Sequence, residues 1–463
     1  MTLTSINNHP LVNKLLTNRW PQFILQALLL AAFLFTILSG WIGTPVGSHN
    51  FGIVFLWITW WALLILVAVP FFGRGWCSIC PIPLPGEWLQ RGNLLGKKSE
   101  AGRSQVSKAI DGIGSSEAPS PQETIHRRWP RVFRNIWLQN GSFLLLGLFS
   151  PIILTSPQVT AVVLALMLVL AFATSIFFER RSFCRYLCPV SGFIGLYSQV
   201  SPLELRIRNK QDCVTCLGKP CYNGSTTGYG CPWGVFPAGL QKNTNCGLCL
   251  ECVRVCPKNN ISINLRSFAT DLERPLTRMD EAYKSFIMLG SAMTYAAVLL
   301  GPWGALKLHS YAVFTPGWMV YAVAFLGLNL AILPGLMFSL MKLNPKGASP
   351  RASFTAFSTI LIPLGLMFWL AFSLSFLASN VSYIGISLSD PLGWGWNLIG
   401  TAGLGWRPIG GFFIQPLQVL SLVGGLGWST QLAIKMAKVQ NVSPLPAIIF
   451  CLLTTLIMLW LIT

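Results

Sequence analysis

Charged side chains are scarce in this sequence. Only 10% of the 463 residues are Asp, Glu, Lys or Arg, whereas soluble proteins carry about 25%. Hydrophobic residues make up 53% of the chain and include 29 Phe and 18 Trp. This composition excludes an ordinary water-soluble globule and a disordered chain, and it indicates a protein that crosses a membrane several times.

Acidic residues and histidines are scarcer still. There are 14 Asp and Glu against 33 Lys and Arg, and only four His. The predicted spans contain almost no ionisable side chains, which disfavours an ion pump, an ion-coupled transporter or a transporter that carries a redox sensor. Haem held by pairs of histidines within the bilayer is not expected, because none of the histidines lies in mid-span: His9, His49, His126 and His309.

Long apolar runs predict nine spanning helices, each of about 20 residues. If the N-terminus is inside, every Lys and Arg except Lys307 and Arg407 lies in an inner segment. We therefore interpret the net charge of +19 as a signal of membrane orientation and not of nucleic-acid binding. The predicted spans are roughly residues 23–42, 52–72, 136–156, 158–178, 286–306, 312–341, 354–378, 409–434 and 444–463.

The predicted fold is an all-α polytopic membrane protein with an inserted cytoplasmic ferredoxin-like α+β domain. Residues 1–200 would form a repeat of two helical hairpins, with a flexible cytoplasmic loop at 96–125 that is rich in Ser, Gly and charge. Residues 201–285 would form the inserted domain, and residues 286–463 a five-helix membrane domain.

Cysteine is concentrated in one part of the chain, and two cysteine pairs repeat. The second predicted span is followed by Cys77 and Cys80, and the fourth by Cys184 and Cys188; in each pair a proline follows the second cysteine. Two hairpins that run in the same direction can pack about a pseudo-twofold axis. That packing would bring these four cysteines together near the inner membrane surface.

Eight further cysteines lie between Cys213 and Cys256. The run C-x2-C-x2-C-x3-C-P from Cys246 to Pro257 is typical of bacterial ferredoxins, in which the fourth cysteine binds the neighbouring cluster. The preceding set is irregular, because residues 222–230 separate its third and fourth members. The crossover predicts two [4Fe-4S] clusters, the first held by Cys213, Cys216, Cys221 and Cys256, and the second by Cys231, Cys246, Cys249 and Cys252.

Zinc, disulfide bonds and copper are alternatives to iron–sulfur clusters for these thiols. Zinc also binds pairs of C-x2-C motifs, but the proline-terminated run of four cysteines disfavours it. Disulfides are disfavoured by a reducing cytoplasm. For Cys77, Cys80, Cys184 and Cys188 a third iron–sulfur cluster, a redox-active dithiol and a copper site all stay open.

The cysteine motifs resemble those of membrane ferredoxin-type proteins of the NapH/NosR kind, which are polytopic quinol dehydrogenases. The resemblance covers roughly residues 20–270 and implies electron transfer between the quinone pool and a redox partner. The first cysteine pair departs from that family, which usually has three residues between the cysteines. The matching pieces are Trp76-Cys77, Cys80-Pro81, the stretch from Phe183 to Pro189, and Cys256-Pro257.

We therefore predict an electron-transfer subunit of a larger respiratory complex in the cytoplasmic membrane of a prokaryote. Its partners would be quinone or quinol and other redox subunits, and no haem, flavin or nucleotide is expected. No catalytic side chain is predicted, since the sequence shows no nucleophile, acid–base pair or nucleotide-binding loop. A related group, linked to cytochrome oxidase assembly, shares similar motifs and supplies the alternative of a copper-handling or assembly-factor reductase.

Overall fold

The computed structural model describes residues 4–91, 127–225, 228–301, 304–342 and 349–462. The flexible loop predicted at 96–125 lies outside these residues. Within them, eight helices are long and apolar enough to cross a membrane: Trp20–Ile42, Phe51–Phe72, Pro157–Phe177, Met279–Leu300, Pro316–Lys342, Pro350–Asn380, Gly411–Gln440 and Leu445–Ile462.

These eight helices match eight of the nine predicted spans, and the multi-pass architecture is confirmed to that extent. The predicted third span corresponds to a shorter apolar helix, Trp137–Ile153, of 17 residues. At 1.5 Å per residue it is about 26 Å long, at the lower limit for crossing the hydrocarbon core. The third span therefore stays a prediction.

One helix begins before its predicted span. The fifth span was expected from about residue 286, and its helix begins at Met279 and includes Asp280 and Lys284. The charge of Asp280 is accommodated there, because the Ile136 N–H donates to its carboxylate at 2.9 Å and Arg278 forms an ion pair with it. The first turns of this helix therefore carry charged residues that precede the apolar run.

The first hairpin comprises the helices Trp20–Ile42 and Phe51–Phe72, and the second hairpin comprises Trp137–Ile153 and Pro157–Phe177. The two hairpins pack closely where Gly40 meets the start of the Pro157–Phe177 helix. A Cβ at Gly40 would lie 2.5 Å from the Pro157 carbonyl oxygen. The repeated hairpins of the sequence are therefore neighbours in the fold.

The end of the first hairpin turns sharply toward its cysteine pair. Residues Leu64–Phe72 are π-helical and include Pro70, whose missing N–H removes a helical hydrogen bond. Gly73 then adopts φ +57°, in the left-handed region that glycine tolerates. The chain re-enters a short helix, Gly75–Ile79, that carries Cys77.

The C-terminal helices share one apolar core with the hairpins. Trp369 lies at the junction, where its indole N–H donates to the Met288 carbonyl at 3.0 Å. Its ring centre is 5.9 Å from that of Trp61 in the first hairpin. The helices after residue 279 are therefore packed against the hairpins within a continuous core.

The cysteine-rich domain, by which we mean residues 201–285, is built on a small sheet. Its strands lie in the order Thr4–Ser5, Ile261–Leu265 and Leu203–Ile207, and both pairings are antiparallel. The N-terminal strand thus adds to this domain, although the sequence assigns its residues to the membrane hairpins. A two-residue strand has no periodicity that could reveal this. The remaining elements are the short helices Lys210–Val214, Pro220–Asn223 and Glu251–Val255 and the ribbon of Gly224–Ser225 with Gly228–Tyr229.

Candidate metal centres

Twelve of the thirteen cysteines line three cavities, four to each. The hairpin cavity contains about 460 Å³ of space between Cys77, Cys80, Cys184 and Cys188. The central cavity, of about 360 Å³, lies between Cys231, Cys246, Cys249 and Cys252. The distal cavity, of about 340 Å³, lies between Cys213, Cys216, Cys221 and Cys256. The structure thus brings together the same three groups of four that the motif spacing predicts.

The hairpin cavity is built from corresponding pieces of the repeat. Cys77 lies in the short helix Gly75–Ile79 and Cys184 in Ser182–Tyr186. Cys188 precedes a helix that begins at Pro189, and its sulfur accepts a hydrogen bond from the Ser191 N–H at 3.4 Å. The apolar part of the lining includes Phe33 and Trp60 from two candidate spanning helices and Trp233 from the cysteine-rich domain, so this cavity lies between them.

Three thiols of the hairpin cavity resist ionisation without a metal. Burial raises the pKa of Cys80 and of Cys184, and it raises the pKa of Cys188 to about 12. The charges of Arg181 and Arg74 act in the opposite direction, lowering the pKa of Cys80 and of Cys188 respectively. Because metal ligands must be thiolates, filling this cavity with iron would release protons.

A tight loop surrounds the central cavity. Leu248 and Leu250, on either side of Cys249, both have positive φ, at 49° and 64°. Such conformations cost L-residues about 1–2 kcal/mol each and persist only where the surroundings impose them. Gly247 is required at its position, because a Cβ there would lie 1.9 Å from the Trp233 Nε1. Burial also raises the pKa of Cys246 to about 11.

The distal cavity is the least enclosed of the three. Cys213, Cys216 and Cys256 are only partly buried. Asn260 fixes two of its sulfurs: its side-chain amide donates to Cys213 at 3.2 Å and its backbone N–H to Cys256 at 3.3 Å. Burial raises the pKa of Cys221, the one buried thiol of this group, to about 11.

Unpaired hydrogen-bond donors test whether an iron–sulfur cluster fits these cavities. The indole N–H groups of Trp60 and Trp233 are buried without a partner, as is Nε of Arg74. Both tryptophans line the hairpin cavity, and Trp233 also lines the central one. Buried donors are rarely left unpaired, and the sulfur atoms of a cluster accept such hydrogen bonds. The donor set therefore fits a cluster.

The arrangement of the sulfurs gives a second test, which distinguishes a single metal ion from a cluster. In a tetrahedral zinc site the four sulfurs lie about 3.8 Å apart, as follows from a Zn–S length of about 2.3 Å. Among the residues that the structure describes, no group of three or more Cys, His, Asp or Glu is arranged to hold a single metal ion. The four cysteines of each group instead line a shared cavity, which favours a group larger than one ion.

Two buried arginines lie among the cations near the cysteine motifs, and their specific contacts were not predicted from the sequence. Arg181 donates to the Cys77 carbonyl at 2.7 Å and forms an ion pair with Glu87. Arg74 donates to the Ser191 carbonyl at 3.0 Å and lies over the Trp233 ring. The Arg181 side chain thus joins the two hairpin motifs, and the Arg74 side chain joins the first hairpin to the cysteine-rich domain.

A buried lysine supports the hairpin cavity from the membrane side. The Lys284 ammonium donates to the side-chain oxygen of Gln139 at 2.5 Å, and the same amide donates to the Cys184 carbonyl at 3.3 Å. A cation is thus connected through one side chain to the backbone of a candidate ligand. No local sequence pattern indicates this contact, because 145 positions separate Lys284 from Gln139.

Comparison with known proteins points to the same chemistry. The family model of the 4Fe-4S binding domain matches this chain twice, at residues 53–101 and 160–208. Each matched segment ends a hairpin and contains one of its Cys-Pro pairs. The matches therefore support iron–sulfur clusters in this protein and fall on the repeated hairpins themselves.

Individual relatives are similar over part of the chain. The putative electron transport protein YccM of Escherichia coli is 35% identical over 82 residues, which is 17% of this chain and 20% of that protein. The methylamine utilization ferredoxin-type protein MauN of Paracoccus denitrificans is 27% identical over 148 residues, or 31% of this chain and 46% of MauN. The uncharacterized protein MJ0750 of Methanocaldococcus jannaschii is 28% identical over 102 residues, or 22% of this chain and 39% of that protein.

The chain covers less than half the length of each of these relatives. No solved structure matches it. The family matches and the names of YccM and MauN support a membrane-type ferredoxin that transfers electrons through 4Fe-4S clusters, and they do not point specifically to the NapH/NosR kind.

Proposed function

We propose that this protein carries electrons between the quinone pool and a redox partner, as a subunit of a larger complex in the prokaryotic cytoplasmic membrane. The observation that carries the proposal is the series of three four-cysteine cavities, which runs from the membrane helices to an exposed end of the cysteine-rich domain. The positive inner loops support placing that domain on the cytoplasmic side.

Each cavity would hold one [4Fe-4S] cluster through its four thiolates. Clusters bound there would supply one-electron carriers, with potentials set by hydrogen bonds, nearby charge and solvent exposure. The chain's own residues can set those potentials: Trp60 and Trp233 line the candidate sites and have unpaired indole N–H groups, and Arg74 and Arg181 bring positive charge beside the cysteines.

Neighbouring cavities are connected through common side chains or a common core, which supports transfer along the series. Trp233 lines both the hairpin and the central cavity. The second hairpin holds it in place, because Arg185 donates to its carbonyl at 2.8 Å. Cys221 of the distal cavity and Cys252 of the central cavity belong to one small apolar core.

The apolar lining of the hairpin cavity supports a quinone as the membrane partner. Phe33 and Trp60, from the two helices of the first hairpin, extend this lining into the spanning region. A quinone dissolved in the bilayer would meet apolar and aromatic side chains there, as in most sites for small apolar ligands. Its electrons would then enter the series at the end nearest the membrane.

Anaerobic reduction by a quinol tests this proposal. The protein is purified without oxygen, and the visible absorbance of its iron–sulfur centres is followed after a short-chain quinol is added. We expect the absorbance to bleach in the wild type and to stay unchanged in Cys184→Ser, while Cys451→Ala, at a buried cysteine far from the cavities in sequence, behaves like the wild type. Iron–sulfur centres that dithionite reduces but quinol does not would remove the quinone from the proposal. Copper bound at the hairpin cysteines would favour a copper-handling reductase instead.

A further inference from the structure

The loop beside the distal cavity exposes two apolar side chains. Leu217 is 94% exposed and Val214 is 66% exposed. Among the described residues no other large apolar side chain is as exposed as Leu217, including those on the membrane helices. Full burial of such a side chain is worth about 1.5–3 kcal/mol. This loop is thus an apolar surface that none of the described residues covers.

The apolar loop is adjacent in sequence to a candidate redox site. Val214 and Leu217 directly follow Cys213 and Cys216, two of the four cysteines of the distal cavity. Exposed apolar surface that is contiguous and rimmed by polar groups marks an interaction site. A protein that covered this loop would bring its own redox group close to the end of the cavity series.

Positive charge surrounds the apolar loop. Lys219 and Lys258 line the distal cavity, and Lys210 is exposed on the short helix that carries Cys213. The one carboxylate at this cavity is Asp212, which lies 3.8 Å from Lys258 in an exposed ion pair. Such an exposed ion pair contributes little to stability. Because the lysines outnumber the single carboxylate, the rim presents a net positive field to an approaching partner.

We propose that this surface, formed by Val214, Leu217 and the lysine rim, docks a small soluble electron-carrier protein with an acidic face. The inference deepens the proposed function and rests on it. Complementary charge would steer the encounter and set its rate, and the two apolar side chains would be buried in the complex. A small interface suffices, since redox partners form some of the smallest protein contacts. One electron passes between the carrier and the cysteine-held site, so that one is oxidised as the other is reduced and no bond is formed.

Stopped-flow reduction by an acidic flavodoxin tests the docking surface. The probe is a reduced bacterial flavodoxin, mixed anaerobically with the full-length protein in detergent. We expect its second-order rate constant to fall at least tenfold in Lys219→Gln/Lys258→Gln and to fall with rising salt. Leu217→Ser should lower the rate several-fold even at high salt. Lys435→Gln/Lys438→Gln, which removes the same charge at exposed positions of another helix, should match the wild type.

Dithionite provides the control that separates this inference from the proposed function. It is a small reductant that needs no docking, so it should reduce all variants equally. If dithionite reduces the protein but flavodoxin reduction is unchanged in the lysine and leucine variants, the docking surface is wrong and the electron carrier stands. If dithionite reduces nothing, the proposed function itself fails. Phosphatidylglycerol vesicles that block flavodoxin at this surface would show that it faces a membrane, which would also overturn the inference.

Discussion

The guanidinium carbon of Arg74 lies 4.3 Å from the centre of the Trp233 ring. This cation–π contact joins the end of the first hairpin to the cysteine-rich domain, at a tryptophan that lines two of the three cavities. Arg74 is buried, and among the described residues it forms no ion pair. Its charge is therefore available to whatever anionic group the neighbouring cysteines hold.

Removing that charge should lower a reduction potential. In Arg74→Gln, the cluster sites nearest to this residue and Trp233 lose a cation that favours the reduced, more negative form of a cluster. We expect a decrease on the order of 50 mV, the size of a Coulomb interaction at the effective dielectric of a protein interior. An EPR-monitored redox titration measures it. Arg407→Gln, at an exposed position of the loop before the Gly411–Gln440 helix, is the matched control; equal potentials in both variants would contradict this role of Arg74.

Replacing Trp233 by Phe should separate the effect of its hydrogen-bond donor from that of its aromatic ring. Phenylalanine keeps an aromatic ring at this position, but the unpaired Nε1–H is lost. We expect the iron content to stay at the wild-type value and the potential of at least one cluster to fall, because a hydrogen bond to a cluster sulfur favours the reduced state. Trp406→Phe, in the loop before the Gly411–Gln440 helix, should change neither the iron content nor the potential. A potential that does not move in Trp233→Phe would show that this donor does not face a cluster.

Gly247 should tolerate no larger residue. A Cβ there would meet the Trp233 indole at 1.9 Å, so Gly247→Ala must displace either the ring or the loop that carries Cys246 and Cys249. We expect loss of about four iron atoms per chain, which corresponds to one [4Fe-4S] cluster. Gly239→Ala is the control, since nothing lies within 4 Å of its added Cβ. Full iron content in Gly247→Ala would contradict the packing described here.

The metal-free protein should lose stability in alkaline solution. The folded-state pKa of Cys188 is raised to about 12 and that of Cys246 to about 11, both above the ordinary value of 9.0. The folded chain therefore binds more protons than the unfolded chain between these values, and the contribution of each thiol is fully present below pH 9 and lost as the pH rises toward 11 or 12. Urea unfolding across this range measures it. Cys188→Ala should show a shallower decline than the wild type, and parallel curves would refute the burial of this thiol.

The sequence predicted the grouping of the cysteines because ligand spacing is a local property. The run from Cys246 to Pro257 and the paired Cys-Pro motifs specify their partners through short chain separations and an internal repeat. Eight of the spans were also predictable, since the bilayer requires apolar runs of fixed length.

Residues that act through distant contacts could not be predicted in the same way. Arg74 and Trp233 are in contact although more than 150 positions separate them in the sequence. Each also has an ordinary local explanation: Arg74 reads as one of the inner positive charges, and Trp233 as an aromatic residue of a loop. The early start of the fifth span depends on Asp280, whose charge is compensated by Arg278 and the Ile136 N–H. Hydropathy alone places such a residue outside a helix.

The iron and acid-labile sulfide content of the anaerobically purified protein tests the central claim most directly. Three four-iron clusters predict about twelve iron and twelve sulfide per chain. Cys184→Ser, Cys249→Ser and Cys216→Ser, each directed at one cavity, should each lower both numbers by about four. A wild-type protein without iron and sulfide, or a count unchanged by all three substitutions, would contradict the account.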